Sequence, residues 1–141
     1  MIRTTLTSLA AALALGTSAH AEEFALFVYE TPADFAARDD AARGPGYWGA
    51  YAELAQAMGA AGIVRGGGPL TSPALGSRVA VRQGQSSVTS VDGSGEALSG
   101  WFVIDVADRA AAEAWAARVP AASTARIEVR AVLPTPMPMN P

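Results

Sequence analysis

An α+β domain, with two helices packed on one face of an antiparallel sheet, is the fold this sequence predicts. Three observations point there. Two apolar runs rich in aromatic and β-branched residues, 24–29 and 101–106, read as buried strands. Each is followed within two residues by a helix-start signal, Thr31-Pro32 after the first and Asp108 after the second. Two further stretches, 78–82 and 125–132, alternate apolar and polar residues with the period of a half-buried strand.

Taken in order, residues 24–29 open the sheet. Thr31 stands as N-cap of the next helix, Pro32 fits its first position, and Asp34 meets the unpaired N–H groups of the first turn. Gly44-Pro45-Gly46 ends that piece. A second helix over 47–61 carries Trp48, Tyr51, Leu54, Ala55 and Met58 at spacings of three and four, one apolar stripe, and Gly62 closes it. Gly66-Gly67-Gly68-Pro69 reads as a loop. Residues 78–82 form a strand, Gln83-Gly84 a two-residue turn into 85–91, and Asp92-Gly93-Ser94-Gly95 another turn. After the strand at 101–106, Asp108 caps a helix through Arg118 whose buried face holds Ala111, Ala114, Trp115 and Val119; Pro120 stops it. In 125–132, Ile127, Val129 and Ala131 share one face. Residues 134–141 read as a mobile Pro-rich tail.

The order β, α, β-hairpin, β, α, β is the split βαβ, ferredoxin-like pattern. It leaves the second face of the sheet apolar with nothing in the chain to cover it. Association of two such faces in a homodimer is the expected remedy.

Composition narrows the chemistry. At 141 residues, half of them hydrophobic and 16% charged, the chain is sized for one folded domain and is not a disordered polyelectrolyte. All ten basic residues are Arg, the net charge is −3, and no Arg stripe forms, so no nucleic-acid partner is expected. Arg3, the apolar run 6–15, Gly16-Thr17-Ser18 and Ala19-His20-Ala21 before Glu22 make a tripartite export signal over 1–21. The run is half the length of a membrane-spanning helix, so no membrane association is expected after cleavage, and the location read is periplasmic or secreted. Cleavage leaves residues 22–141, with nine Arg against thirteen Asp and Glu, a net of −4. It also removes His20, so the expected mature chain has neither His nor Cys. No metal and no cofactor are expected: thiolate, imidazole and proximal-His haem ligation are gone, and no acidic spacing resembles a calcium loop.

Four segments carry a resemblance to a known family. They are the strand ending in Tyr29-Glu30, Ala61-Gly62 through Gly67-Gly68-Pro69-Leu70, Gly100-Trp101 through Asp105, and Ala114-Trp115 through Pro120 leading to Ile127 and Arg130. Over residues 24–132 the chain resembles the YCII-related family, in the branch with an Asp-Gly-Pro-Phe signature, which sets the expected domain at 22–133. The resemblance implies a dimeric α+β barrel and a biochemical role that is mostly unsettled. Two departures stand out. Asp92-Gly93-Ser94-Gly95 occupies the place of the signature, and the His of a His–Asp pair proposed as catalytic in some relatives has no counterpart after residue 21.

Candidate chemistry follows from these positions. Asp92 matches the signature Asp and is either a general base or an Asp-Gly turn residue. Glu30 ends the first strand and is either a carboxylate facing a cavity or a solvated strand end. Tyr29, Trp48, Tyr51 and Trp101 line an aromatic pocket or fill the core; Trp48, in the first turn of its helix, is the best pocket candidate. The Gly66–Gly68 run lacks the Lys and Ser/Thr of a phosphate loop, and close backbone approach explains it better. The functional expectation is a small organic ligand in an apolar cavity, with or without cofactor-free acid/base chemistry. The rival is a non-catalytic binding or accessory homodimer. A cofactor-free monooxygenase of the same architecture needs an aromatic and Asn-lined pocket, and the only Asn is Asn140 in the tail.

Overall fold

Residues 21–134 are described in the computed structural model; positions 1–20 of the expected export signal and 135–141 of the expected tail lie outside them. The elements run β1 (Glu22–Glu30), α1 (Pro32–Arg38), α2 (Gly44–Ala60), β2 (Val64–Pro69), β3 (Ser77–Arg82), β4 (Gln85–Ser90), β5 (Ala97–Val106), α3 (Arg109–Ala116) and β6 (Arg126–Ala131), with short 3₁₀ turns at Pro73–Leu75 and Pro120–Ser123. Four strands make one antiparallel sheet in the order β2-β5-β1-β6. This is the ferredoxin-like arrangement, with β1 and β5 at the centre and α2 and α3 as the two connecting helices.

Strand parity fixes which side chains meet the helices. On β1, Phe24, Leu26, Val28 and Glu30 point to the helix side and are buried. They continue across the sheet as Phe102 and Ile104 on β5, and Ile127, Val129 and Ala131 on β6. Leu54 and Met58 of α2, and Ala112 and Ala116 of α3 with Val119, close this layer. Each large buried aliphatic or aromatic residue here contributes roughly 1.5–3 kcal/mol through burial. Ala25, Phe27 and Tyr29 of β1, with Trp101 and Val103 of β5, lie on the opposite face.

Two of the three helix starts follow the sequence; Gly44-Pro45-Gly46, expected to end the first helical piece, instead opens α2, where proline in the first turn needs no N–H partner. Thr31 Oγ1 accepts from the Asp34 N–H at 3.2 Å while the Asp34 carboxylate accepts from the Thr31 N–H at 3.1 Å, a reciprocal capping box. Asp108 accepts from the Ala111 N–H at 2.8 Å. The buried face of α3 is turned by one residue from the expected one. Ala112, Ala116 and Val119 are buried, Ala111 and Trp115 flank them, and Ala114 is exposed. Alanine-rich helices leave the stripe ambiguous because small residues fit either side.

The glycine run corrects the sequence reading. Residues 64–69 are a strand, not a loop, pairing with β5 through a bulge between Val64 and Gly66. Gly67 has φ +137°, and a Cβ there would lie 2.4 Å from the Trp101 carbonyl oxygen. Close backbone approach is thus what the glycine serves, but within the sheet. A second correction concerns the hairpin. Strands β3 and β4 form a separate two-stranded sheet, turned at Gln83 and Gly84 with φ of 51° and 77°, the two positive values of a type I′ turn. The second strand of the ferredoxin-like sheet is therefore β2, and the hairpin is an insertion between β2 and β5.

Candidate functional site

A buried carboxylate anchors the site. Glu30 falls on the helix side of β1 by simple alternation and is 1% exposed, a position where an ionised group needs partners. It has three. Arg38, in the last turn of α1, donates from Nη2 to Glu30 Oε2 at 2.7 Å. Tyr47 and Tyr51, one turn apart on α2, each donate a phenol proton to Oε1 at 2.7 Å. Arg38 is itself held from several sides. Its Nε donates to Tyr47 Oη at 2.9 Å, Nη1 to the Leu70 carbonyl at 2.6 Å, and Nη2 also to the Ser99 carbonyl at 3.1 Å.

This cluster ties four elements together: β1 through Glu30, α1 through Arg38, α2 through the tyrosines, and β5 through Ser99. Ser99 is the extra residue where the β1–β5 register shifts between Val28 and Tyr29. Its hydroxyl donates to the Val28 carbonyl at 3.1 Å, so the irregular backbone leaves its own carbonyl free for Arg38. Burial first, and then the hydrogen bond to Glu30, push the Tyr47 and Tyr51 phenols far above their ordinary value. Both therefore stay protonated at neutral pH and act as donors to the carboxylate.

Above the cluster opens a cleft of about 280 Å³ between α2 and the β5–β2 side of the sheet. Its walls are Val28, Gly100 and Phe102 on the sheet, Gly68 and Pro69 on β2, and Trp48, Ala52 and Ala55 on α2; Tyr47, Tyr51 and Arg38 form the polar end. Trp48 stands at the mouth, 43% exposed. Its indole N–H donates to the Arg38 carbonyl at 3.2 Å, and its ring meets the Tyr47 ring edge-on at 5.0 Å. Tyr47 Oη both donates and accepts within the cluster. Tyr51 Oη donates to Glu30 and keeps its acceptor lone pairs, on a residue that lines the cleft.

Of the positions singled out in the sequence, Glu30, Tyr51 and Trp48 come together here. Trp101 borders the cleft, but its place opposite Phe27 in the register sends its side chain to the other face of the sheet. Tyr29 also lies on that other face, under the Arg126 guanidinium at 4.1 Å. Asp92 is in an exposed turn after β4 and is not among the lining residues. The Ser94 N–H, bonded at 2.9 Å, holds its carboxyl below the ordinary value. Sequence reasoning missed Arg38 and Tyr47. The signal was Glu30 itself: an acid in phase with Phe24, Leu26 and Val28 demands a cation, and Tyr47 sits four residues before Tyr51.

Fold and site together define an α+β, ferredoxin-like domain with an apolar cleft over a neutralised carboxylate. The chain belongs to the YCII-related family, whose domain matches residues 23–136. A search of curated proteins gave no match. Among the described residues no three His, Cys, Asp or Glu are grouped to hold a metal, and no helix is long and apolar enough to cross a membrane.

Proposed function

We propose that this YCII-related domain binds a small, flat, uncharged and mostly apolar molecule in the cleft over Glu30. The observation that carries this is the pairing of an open apolar cleft with a polar end whose charges already cancel. Glu30 and Arg38 neutralise each other, and both phenol protons are committed to the carboxylate. What Tyr51 offers a ligand is an acceptor, so the matching group is a neutral donor such as a phenol O–H or an indole N–H. Calorimetric titration with p-cresol and with benzoate tests this. Saturable p-cresol binding, at least tenfold tighter than benzoate and weakened by Trp48→Ala, is the expected result. Benzoate binding as well as p-cresol, or no saturable binding of either, contradicts it.

A second reading rests on the position of Tyr51 between cleft and carboxylate. Its Oη can take a proton from a bound molecule while passing its own to Glu30 Oε1, 2.7 Å away. In that case Glu30→Gln and Tyr51→Phe each lower turnover by ~10²-fold or more. A role for Asp92 requires a substrate held outside this cleft.

Two further proposals concern the state of the protein. The face bearing Ala25, Phe27, Trp101 and Val103 is the surface on which a homodimer forms. Export is the other proposal, motivated by residues 1–21. Mass spectrometry on protein from the native host is expected to find Glu22 at the N-terminus, and an intact Met1 contradicts it.

A further inference from the structure

The cleft over Glu30 exists because positions that would fill it carry little or no side chain. The helix-side residues of β5 run Gly100, Phe102, Ile104, in register with Val28, Leu26 and Phe24 of β1, so the row loses its side chain beside Val28. On β2 the partners of Gly100 and Phe102 are Pro69 and Gly67. Close strand approach keeps both glycines bare: a Cβ on Gly67 would lie 2.4 Å from the Trp101 oxygen, and one on Gly100 2.8 Å from the Gly68 oxygen. On α2, Ala55 follows Tyr51 by one turn, about 6 Å along the helix. Leu54 and Met58, on the neighbouring face, are buried in the core instead. The cleft therefore runs on from its polar end at Tyr51 to an apolar end at Ala55 and Phe102.

Its size matches that length. A closed apolar cavity of about 150 Å³ takes one benzene ring, and this cleft measures about 280 Å³. A single ring held at Tyr51 leaves the stretch over Ala55 unfilled, and the walls there forfeit their contacts. The geometry points to a fused two-ring aromatic alcohol whose O–H stands at the end of its long axis. The first ring brings the O–H to Tyr51 Oη, and the second lies between Ala55 and Phe102. This deepens the proposed function and rests on it, adding the number of rings and the place of the donor.

Calorimetric titration with p-cresol, 1-naphthol and 2-naphthol separates the two claims. The naphthols have the same carbon skeleton, but in 1-naphthol the O–H sits beside the ring fusion, which throws the second ring off the axis of the cleft. 2-Naphthol is expected to bind at least tenfold tighter than either of the others. If p-cresol binds and 2-naphthol gains less than tenfold over it, the two-ring inference fails and the cleft reading stands. Equal affinity for the two naphthols overturns the inference as well, since the gain is then hydrophobicity without shape. If none of the three saturates, both fail together. Ala55 is exposed and leucine is a good helix former, so Ala55→Leu is expected to fold, with circular dichroism as the check. Its side chain fills the far end of the cleft and is expected to cost 2-naphthol at least ten times as much affinity as it costs p-cresol. Equal losses contradict the inference.

Discussion

Arg38→Met is expected to destabilise the protein by about 3–5 kcal/mol, the range for removing one partner of a buried ion pair. The side chain is 9% exposed and it makes four hydrogen bonds, one each to β1, α2, β5 and the Leu70 carbonyl just past β2. Its loss leaves Glu30 buried with only phenols to balance it, and strips the Leu70 and Ser99 carbonyls of a donor. Since a single domain has roughly 5–15 kcal/mol in hand, a large share of the total goes. Urea unfolding measures this directly. Adding Glu30→Gln to Arg38→Met removes the stranded charge and is expected to recover part of the loss, so the two substitutions are not additive. Additive effects, or a loss below about 1 kcal/mol for Arg38→Met alone, show that the pair behaves as a surface bridge would.

Gly67→Ala is expected to cost several kcal/mol by a different route. The backbone there is at φ +137°, strained for any L side chain by about 1–3 kcal/mol. The new Cβ would also lie 2.4 Å from the Trp101 oxygen and 2.9 Å from Phe102 Cα, both backbone atoms that cannot turn aside. Relief requires β2 to move off β5, which displaces Gly68 and Pro69 from the cleft wall. Gly66→Ala and Gly68→Ala are the controls, because a Cβ at either meets nothing within 4 Å. They are expected to change stability by less than about 1 kcal/mol. If all three substitutions cost the same, the close approach of β2 to β5 is not what Gly67 serves.

How much of this was legible in the sequence depends on the element. The central strands and the caps at Thr31 and Asp108 were plain, because aromatic runs and side-chain caps are local signals. β2 was hidden for the opposite reason. A strand made of Gly66, Gly67 and Gly68 has no side-chain pattern, and only its pairing with β5 makes it a strand. The hairpin turn at Gln83-Gly84 was readable, but its separation from the main sheet was not, since alternation reports periodicity and not the surface a strand lies on. At the site, Glu30 was visible as a strand-end acid and its depth followed from parity with Val28. Its partners came from an α1 helix with no buried residue and from the first two turns of α2, a convergence that exists only in three dimensions. Tyr29 and Trp101 looked like neighbours of Tyr51, yet strand alternation turns both away.

The cleft over Glu30 is the centre of this account, and the most direct test is where p-cresol lands. In an amide chemical-shift titration, the account predicts saturating shifts at Tyr47, Trp48, Tyr51, Ala52, Gly68 and Gly100, with Ala25, Phe27 and Glu128 on the opposite face unmoved. Shifts centred instead on that opposite face, or on the groove between α3 and β6 lined by Glu113, Ala116 and Val129, would contradict it.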